Sequence, residues 1–504
     1  MLRPLALLTA LALTTAGAPA PSAEARTAAY FAAIRHDPTK LVLFLEEMPK
    51  GGDLHHHLTG AVYAESYIDY AVEDGDCIDA TSTIVAPPCA PERGVFPARR
   101  AIDDYSYRNL VIDALSARNF VPTADDRSEL VHFFKTFYKF DRVTNGHWGE
   151  ELAEVVHRAA LQHEVYLETM LTPDQGAAAA LGAKVGWDDD FAALRAKLDA
   201  AGMATVVAGA RSHLDDGERG MRRILACGTP RADAGCALTL RFQNQILRAF
   251  PKEQVFAQIQ AGFELASADS RIVALNPVQP QDDYTPMHDF ELQLRMFDFF
   301  HRLYPKVHLS FHAGELFPGL TPPEQMESPA HIRDSIEIGH AERIGHGIDV
   351  LYERDPRGLL AEMARKHILV EDPIPIHEAM LPGIVGGDVL PVYLAAGVPV
   401  ALATDDEGAL RSDLTQTFVR AVQGYNVDYL GLKRMVRDSL QHAFLPGRDL
   451  WVGWERFDAM TPACAGRSAL AAPDGACATF LASSEKAALE WREEAAFARF
   501  EQRW

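Results

Sequence analysis

Basic residues are in short supply in this 504-residue chain: 48 Lys and Arg stand against 70 Asp and Glu, a formal charge of −22. That balance repels phosphate backbones and anionic lipid, which argues against a nucleic-acid polymer or a membrane surface as the main partner unless the fold gathers a local basic patch. Long apolar runs are missing too. Leu5 to Leu13 is almost wholly apolar but far shorter than the ~20 residues of a membrane-spanning helix, so no span is expected. Cysteine is sparse and never spaced Cys-x-x-Cys, which disfavours a cysteine-ligated zinc site. What remains is ordinary: 48% hydrophobic and 23% charged residues exclude global disorder and a fibrous repeat. The length admits one large barrel with insertions or two to three domains.

The first 25 residues read as an export signal. Arg3 gives the basic start, Leu5 to Leu13 the apolar stretch, and Ala23-Glu24-Ala25 the small-residue cleavage site; Ala18-Pro19-Ala20 offers an alternative cut after Ala20. Export to a periplasm or the extracellular space is the expectation. The six cysteines agree with it, falling into three local couples, Cys77 with Cys89, Cys227 with Cys236, and Cys464 with Cys477. Six cysteines allow 15 pairings, so connectivity stays open; each small-loop bridge would stabilise by roughly 3 kcal/mol in the loop-closure picture.

Residues 26–504 then read as a single domain. Arg26 to Met48 has helical character and breaks at Pro49-Lys50-Gly51-Gly52. Short runs of strand character recur at Asp53 to His57, Val165 to Met170, Ala204 to Ala210, Arg271 to Asn276, Val307 to His312, Arg343 to His346, Ile368 to Glu371 and Val398 to Thr404. Segments with helical spacing separate them, such as Phe290 to Tyr304 with its wide apolar face. Eight strands alternating with helices predict an α/β fold, a parallel (β/α)8 TIM barrel. More than 100 residues separate His57 from Val165, far beyond a simple crossover. A helical insertion over the barrel mouth, about 70–150, is therefore expected, with Phe133, Phe134, Phe137, Tyr138 and Phe140 packing its helices. Residues 212–237 and 455–482 read as disulfide-pinned excursions, and about 425–504 as a C-terminal helical and loop extension.

The chemistry concentrates at strand ends. In Leu54-His55-His56-His57-Leu58 strand alternation sends His55 and His57 to one face and His56 to the other; a solvated histidine patch is the plainer alternative. Downstream, the fifth candidate strand ends in His312-Ala313-Gly314-Glu315, the sixth in Gly345-His346-Gly347, and the eighth runs into Asp405-Asp406. C-terminal strand ends of a barrel face one funnel. There His55, His57, His312 and Asp405 make an N3O set for zinc with a position left for water.

The ordered motifs Met48-Pro49-Lys50, Leu54-His55-His56-His57-Leu58-Thr59-Gly60, His312-Ala313-Gly314-Glu315, Arg343-Ile344-Gly345-His346-Gly347 and Thr404-Asp405-Asp406 resemble those of the adenosine deaminase family of the amidohydrolase superfamily, from about Lys40 to Gln423. Export and disulfides make the chain look more like the family's secreted, growth-factor-related branch. The resemblance implies zinc-dependent hydrolytic deamination at C6 of a purine nucleoside, with water as co-substrate. It implies one Zn2+ per chain on His55, His57, His312 and Asp405, with Glu315, His346 and Asp405 catalytic: Glu315 protonating ring N1, His346 orienting the attacking hydroxide. His57, Thr59, Gln279, Gly314 and Asp406 would touch substrate, Asp406 at the N7 side. Homo-oligomerisation stays open.

Departures fall in the pocket walls. Thr59 stands where nucleoside enzymes usually have an Asp for the ribose 5′-hydroxyl, and Gln279 about where a substrate-contacting Gly is expected. Glu371-Asp372-Pro373-Ile374-Pro375-Ile376-His377 replaces the usual Glu-x-x-Pro-x-Ser-Asn, and Glu407 the usual Pro. Deamination of another aminopurine or heterocycle therefore remains an alternative, as does a secreted purine-binding or signalling protein without catalysis. A carboxylated-lysine binuclear site is disfavoured, because Arg271 to Asn276 offers no lysine.

Overall fold

Eight parallel strands lie side by side in chain order: β1 (Gly51–His57), β2 (Glu164–Leu171), β3 (Thr239–Leu247), β4 (Ile272–Val278), β5 (His308–Ala313), β6 (Arg343–His346), β7 (Leu369–Asp372) and β8 (Val400–Leu402). Just beyond β8 the two edges meet. The His57 N–H donates to the Asp405 carbonyl and the Asp405 N–H to the His55 carbonyl, each at 2.8 Å, which closes the (β/α)8 barrel at the level of the expected site. This computed structural model describes residues 21–124, 127–316, 321, 330–380, 387–453 and 456–504. Residues 1–20, most of the expected export signal, and residue 455 of the C-terminal excursion lie outside the described residues.

Seven of the eight expected strands are present near their expected positions. The third is corrected: Ala204 to Ala210 lies inside the helix Met203–Ile224, and the barrel strand is Thr239–Leu247. Gly202, in the left-handed region at φ 115°, ends one helix and starts the next, so the Val-rich run continues as a helix that buries Met203, Ala210, Leu214 and Met221. The true third strand looks polar because its polar side chains point into the barrel. Gln243 Nε2 donates to Glu168 Oε2 at 3.0 Å and to the Leu54 carbonyl at 2.7 Å. Arg343, fully buried, pairs with Glu168 and with Glu371. A polar lumen gives none of the apolar run expected of a parallel strand.

The expected N-terminal helix is two, Ala23–Ile34 and Pro38–Glu47, separated where Asp37 caps the second and Pro38 opens it. The segment between β1 and β2 is not purely helical: three short antiparallel strands (Cys77–Ile78, Ile84–Val85, Phe96–Pro97) accompany its helices. Its helix Glu129–Thr144 packs Leu130 and Phe133 against Ile348, Ile376 and Ala409, residues that follow the ends of β6, β7 and β8, so the insertion does lie over the mouth. Four of its five expected aromatics pack, Phe140 stacking on Tyr67 at 4.4 Å, whereas Tyr138 points to solvent at 78% exposure. The helix to Ile224 occupies half of the excursion expected at 212–237, leaving a short loop pinned by Cys227–Cys236. All three local pairs are bonded, with Cα separations of 5.6, 5.5 and 4.7 Å. At the opposite end, the helices Tyr429–Gln441 and Glu485–Glu501 hold the start of β1: the Gly51 N–H donates to Glu493 Oε1 and the Gly52 N–H to Ser439 Oγ.

Candidate metal centre and active site

β1 alternates as its sequence requires. His56 turns outward, its Nδ1 2.8 Å from Thr169 Oγ1, while His55 and His57 turn to the barrel axis. His312 joins them from the end of β5 and Asp405 from just past β8. One ligand atom from each of these four residues lies within 4.8 Å of all the others. His57 Nε2 is 3.1 Å from His312 Nε2 and 3.4 Å from Asp405 Oδ1, and His55 Nε2 is 3.8 Å from the same oxygen.

The opposite ring nitrogens explain that convergence. His55 Nδ1–H donates to Glu371 Oε2 at 2.7 Å and His312 Nδ1–H to Asn276 Oδ1 at 2.7 Å, so each presents a bare Nε2 to the centre. His57 Nδ1 lies 2.8 Å from the Gln245 side-chain amide. With the amide turned so that its oxygen accepts this proton, Thr172 takes the amide N–H and the third Nε2 is bare as well. His55 Nε2 is completely buried and has no hydrogen-bond partner among the described residues. Burial, reinforced by neighbouring imidazoles, holds His57 and His312 well below the ordinary histidine range, leaving neutral donors. A neutral N3 set with one carboxylate fits a divalent cation of zinc's type. Gly345 makes room for the His55 ring: a Cβ there would come 2.4 Å from His55 Cε1.

Glu315 and His346 stand beside the donor set, with His346 Nε2 3.9 Å from Glu315 Oε1. Burial pushes the Glu315 carboxyl up to about 8, against the pull of Arg248, whose Nη2 is 3.5 Å away. Arg248 is fixed by the carbonyls of Gln279 and His312, and Gln281 Oε1 accepts the Glu315 N–H. Gln279 (φ 83°), His346 (φ 69°) and Asp405 (φ 65°) are all non-glycine residues in the left-handed region, a strain that concentrates at functional sites.

The remaining expected contacts differ in character. Asp406 is buried with Oδ1 unpartnered among the described residues and lying against Gly60. Gly314 lies between His312 and Glu315, its carbonyl accepting the Asp349 N–H. Thr59 is half-buried in the short helix after β1, its carbonyl accepting from Tyr67. Gln279 spends its side-chain oxygen on the Ala249 N–H. Glu407, an unusual residue beside the paired aspartates, accepts from Arg158 Nε at 2.7 Å and Gln162 Nε2 at 2.9 Å. Lys50 is structural, donating to the carbonyls of Leu45, Met48 and Gln162. Sequence reasoning missed Arg248, Gln245 and His377 as parts of the site. Gln245 belongs to the misplaced third strand and Arg248 directly follows it, whereas His377 was visible as a departure without a role.

The family model described as Adenosine deaminase matches residues 111–449, well over half of the chain; the match begins after the His55–His57 pair, which the fold nevertheless brings to the same centre. Among curated proteins, an adenine deaminase of Cupriavidus metallidurans is 26% identical over 141 residues, 28% of this chain and 36% of that protein. An adenosine deaminase of Clostridium perfringens is 26% identical over 138 residues, 27% of this chain and 37% of that protein. The chain thus spans little more than a third of the length of these relatives. Among solved structures, an adenine deaminase from Arthrobacter aurescens superposes with a TM-score of 0.51 at 16% identity, covering 79% of this chain and 94% of that one. The N6-methyl-AMP deaminase of Arabidopsis thaliana does so with a TM-score of 0.51 at 17% identity, covering 80% and 94%. Those two likenesses concern the fold; with the family model matched from within the insertion to beyond β8, the chain belongs to the adenosine deaminase family.

Proposed function

We propose that this chain is a hydrolytic purine deaminase that converts adenosine or deoxyadenosine to inosine or deoxyinosine and ammonia, with one zinc ion per chain held by His55, His57, His312 and Asp405. The observation that carries this reading is Glu315: a buried carboxyl pushed up to about 8 beside a neutral histidine and a convergent metal-donor set. Zinc, when bound, lowers the pKa of water from 15.7 to ~7, about 12 kcal/mol of hydroxide formation at ~1.36 kcal/mol per unit.

The chain's own groups complete the chemistry. Glu315 gives its proton to purine N1, which makes C6 electrophilic as the water oxygen adds to it. Asp405 receives the proton the water loses. His346 Nε2, buried and without a partner among the described residues, faces the attacking oxygen. Asp406 Oδ1 takes the N7 side and fixes the ring. The C6–N bond then breaks, the amine leaves as ammonia with the water proton held by Asp405, and the remaining proton of the C6 hydroxyl passes to Glu315 as the C6 carbonyl forms, which restores the acid.

An uncharged nucleoside suits a chain of formal charge −22 better than a nucleotide. Thr59, in place of an acid for the 5′-hydroxyl, favours a second reading in which the free base is the substrate. Export rests on the N-terminal segment, and placement in the secreted branch on that segment with the three disulfides. The test is ammonia release by the zinc-loaded protein from adenine, adenosine, deoxyadenosine, AMP and N6-methyl-AMP. Turnover of the nucleosides is expected; release from adenine alone would move the assignment to the base. Tight purine binding with no release from any substrate would replace the enzyme with a binding protein.

A further inference from the structure

Behind His346 stands a second buried histidine that the chemistry above does not use. His377, in the helix Ile374–Met380, places Nε2 3.1 Å from His346 Nδ1. Its other nitrogen, Nδ1, is 2.5 Å from Asp388 Oδ2 and 3.4 Å from Asp372 Oδ1. His377, Asp372 and Asp388 are all buried, and neither Asp372 oxygen has a hydrogen-bond partner among the described residues. Asp388 is held in turn, its Oδ1 accepting the Leu390 N–H at 2.7 Å and its own N–H donating to Tyr425 Oη at 3.0 Å.

We propose that His377, clamped by Asp388 and Asp372, donates its Nε2–H to His346 Nδ1 and so fixes His346 as the tautomer that presents an N–H to the reaction centre. The inference rests on the deaminase reading for its catalytic meaning, though not for its geometry. The proton count is short. A carboxylate only accepts, so His377 carries a proton on Nδ1. Between His377 Nε2 and His346 Nδ1 there is one further proton. On His346 it would leave that residue's Nε2 bare, a base. On His377 it makes an imidazolium between two carboxyls and leaves His346 Nδ1 as the acceptor; His346 is then neutral only with a proton of its own on Nε2, so this arrangement holds one proton more than the first, taken up from solvent.

Two buried carboxyls against one imidazole favour the second arrangement, because an unpaired buried carboxylate is costly. Burial opposes charge on His377, yet the fields of Asp388 and Asp372 push it up to about 10. The consequence is a division of labour. His346 stabilises the attacking oxygen as a donor and cannot take its proton, which leaves that task to Asp405. His377 is a positioning residue.

Specific 15N labelling of histidine in the full-length, zinc-loaded protein reads the arrangement directly, with His377→Gln and His346→Gln used to assign the signals. The expected spectrum has both His377 nitrogens protonated and His346 protonated at Nε2 alone; a His346 protonated at Nδ1 beside a neutral His377 overturns the proposal. This readout needs no turnover, so failure of the purine screen and failure of this inference are separate results. The kinetic arm uses Asp372→Asn/Asp388→Asn. It is expected to lower kcat about tenfold to a hundredfold, leave KM within twofold, and weaken binding of a C6-carbinol analogue of the tetrahedral intermediate by the same factor as kcat. Equal losses for that analogue and for the product would mean a merely structural role and also overturn it, as would a second zinc per chain lost on the double substitution.

Discussion

Glu371 Oε2 lies 2.7 Å from His55 Nδ1, and both side chains are fully buried. The carboxylate is held from its other side by Ser310 Oγ and Arg343, so it keeps its charge despite burial and fixes which His55 nitrogen is bare. Glu371→Gln is therefore expected to weaken metal binding about tenfold to a hundredfold, measured by competition with a chromophoric chelator. Unchanged affinity would remove Glu371 from the centre's support.

Glu315→Gln tests the acid. A side chain of the same shape without the proton is expected to lower kcat by about 10²- to 10⁴-fold with metal content intact. In the unsubstituted protein the acid must be protonated, and burial places its loss near 8, so kcat is expected to fall on the alkaline side. Stability follows the same group. Its folded value lies above the unfolded one near 4.5, so this contribution is fully present below that value and is lost as pH rises through the folded value. Metal-free Glu315→Gln should then lose less Tm than the parent protein between pH 5 and about 8.

Much of this centre was legible because it follows from local rules. His55 and His57 share a face through strand alternation, and Glu315 and His346 follow strand ends that a barrel gathers. The third strand was not legible. Its Gln243 and Gln245 look like loop residues until the lumen is known to hold Glu168 and the β1 end to hold His57, whereas the Val-rich run at 204–210 has strand composition and becomes helix because Gly202 starts one there. His377 was equally opaque, since its partners Asp388 and His346 lie 11 and 31 residues away in sequence.

Gly60 offers a steric test of Asp406. A Cβ at residue 60 would sit 1.5 Å from Asp406 Oδ1, so the carboxyl must move. Gly60→Ala is expected to raise KM and lower kcat together, with zinc stoichiometry unchanged because the four donors are untouched. Parent kinetics in Gly60→Ala would show that the orientation of Asp406 is irrelevant to turnover.

The N-terminal helix bears on where an export signal is removed. The Ser22 side chain caps the helix Ala23–Ile34, and Glu24 Oε2 accepts from Lys433 Nζ at 2.6 Å, the same nitrogen that pairs with Glu501. Cutting after Ala25 removes the cap, the first turn and one of the two carboxylates on a nearly buried lysine; cutting after Ala20 keeps all three. Glu24 is 41% exposed, so solvent screens its part, and with the cap at about 1 kcal/mol the difference amounts to about 1–2 kcal/mol. A protein beginning at Pro21 is therefore expected to melt about 1–2 °C above one beginning at Arg26, and a chain processed at the proposed export signal to have the mass of the former. Equal Tm values for the two forms would show that the Ser22 cap and the Glu24–Lys433 pair contribute nothing measurable, and a mature terminus at Arg26 would return the cut to Ala25.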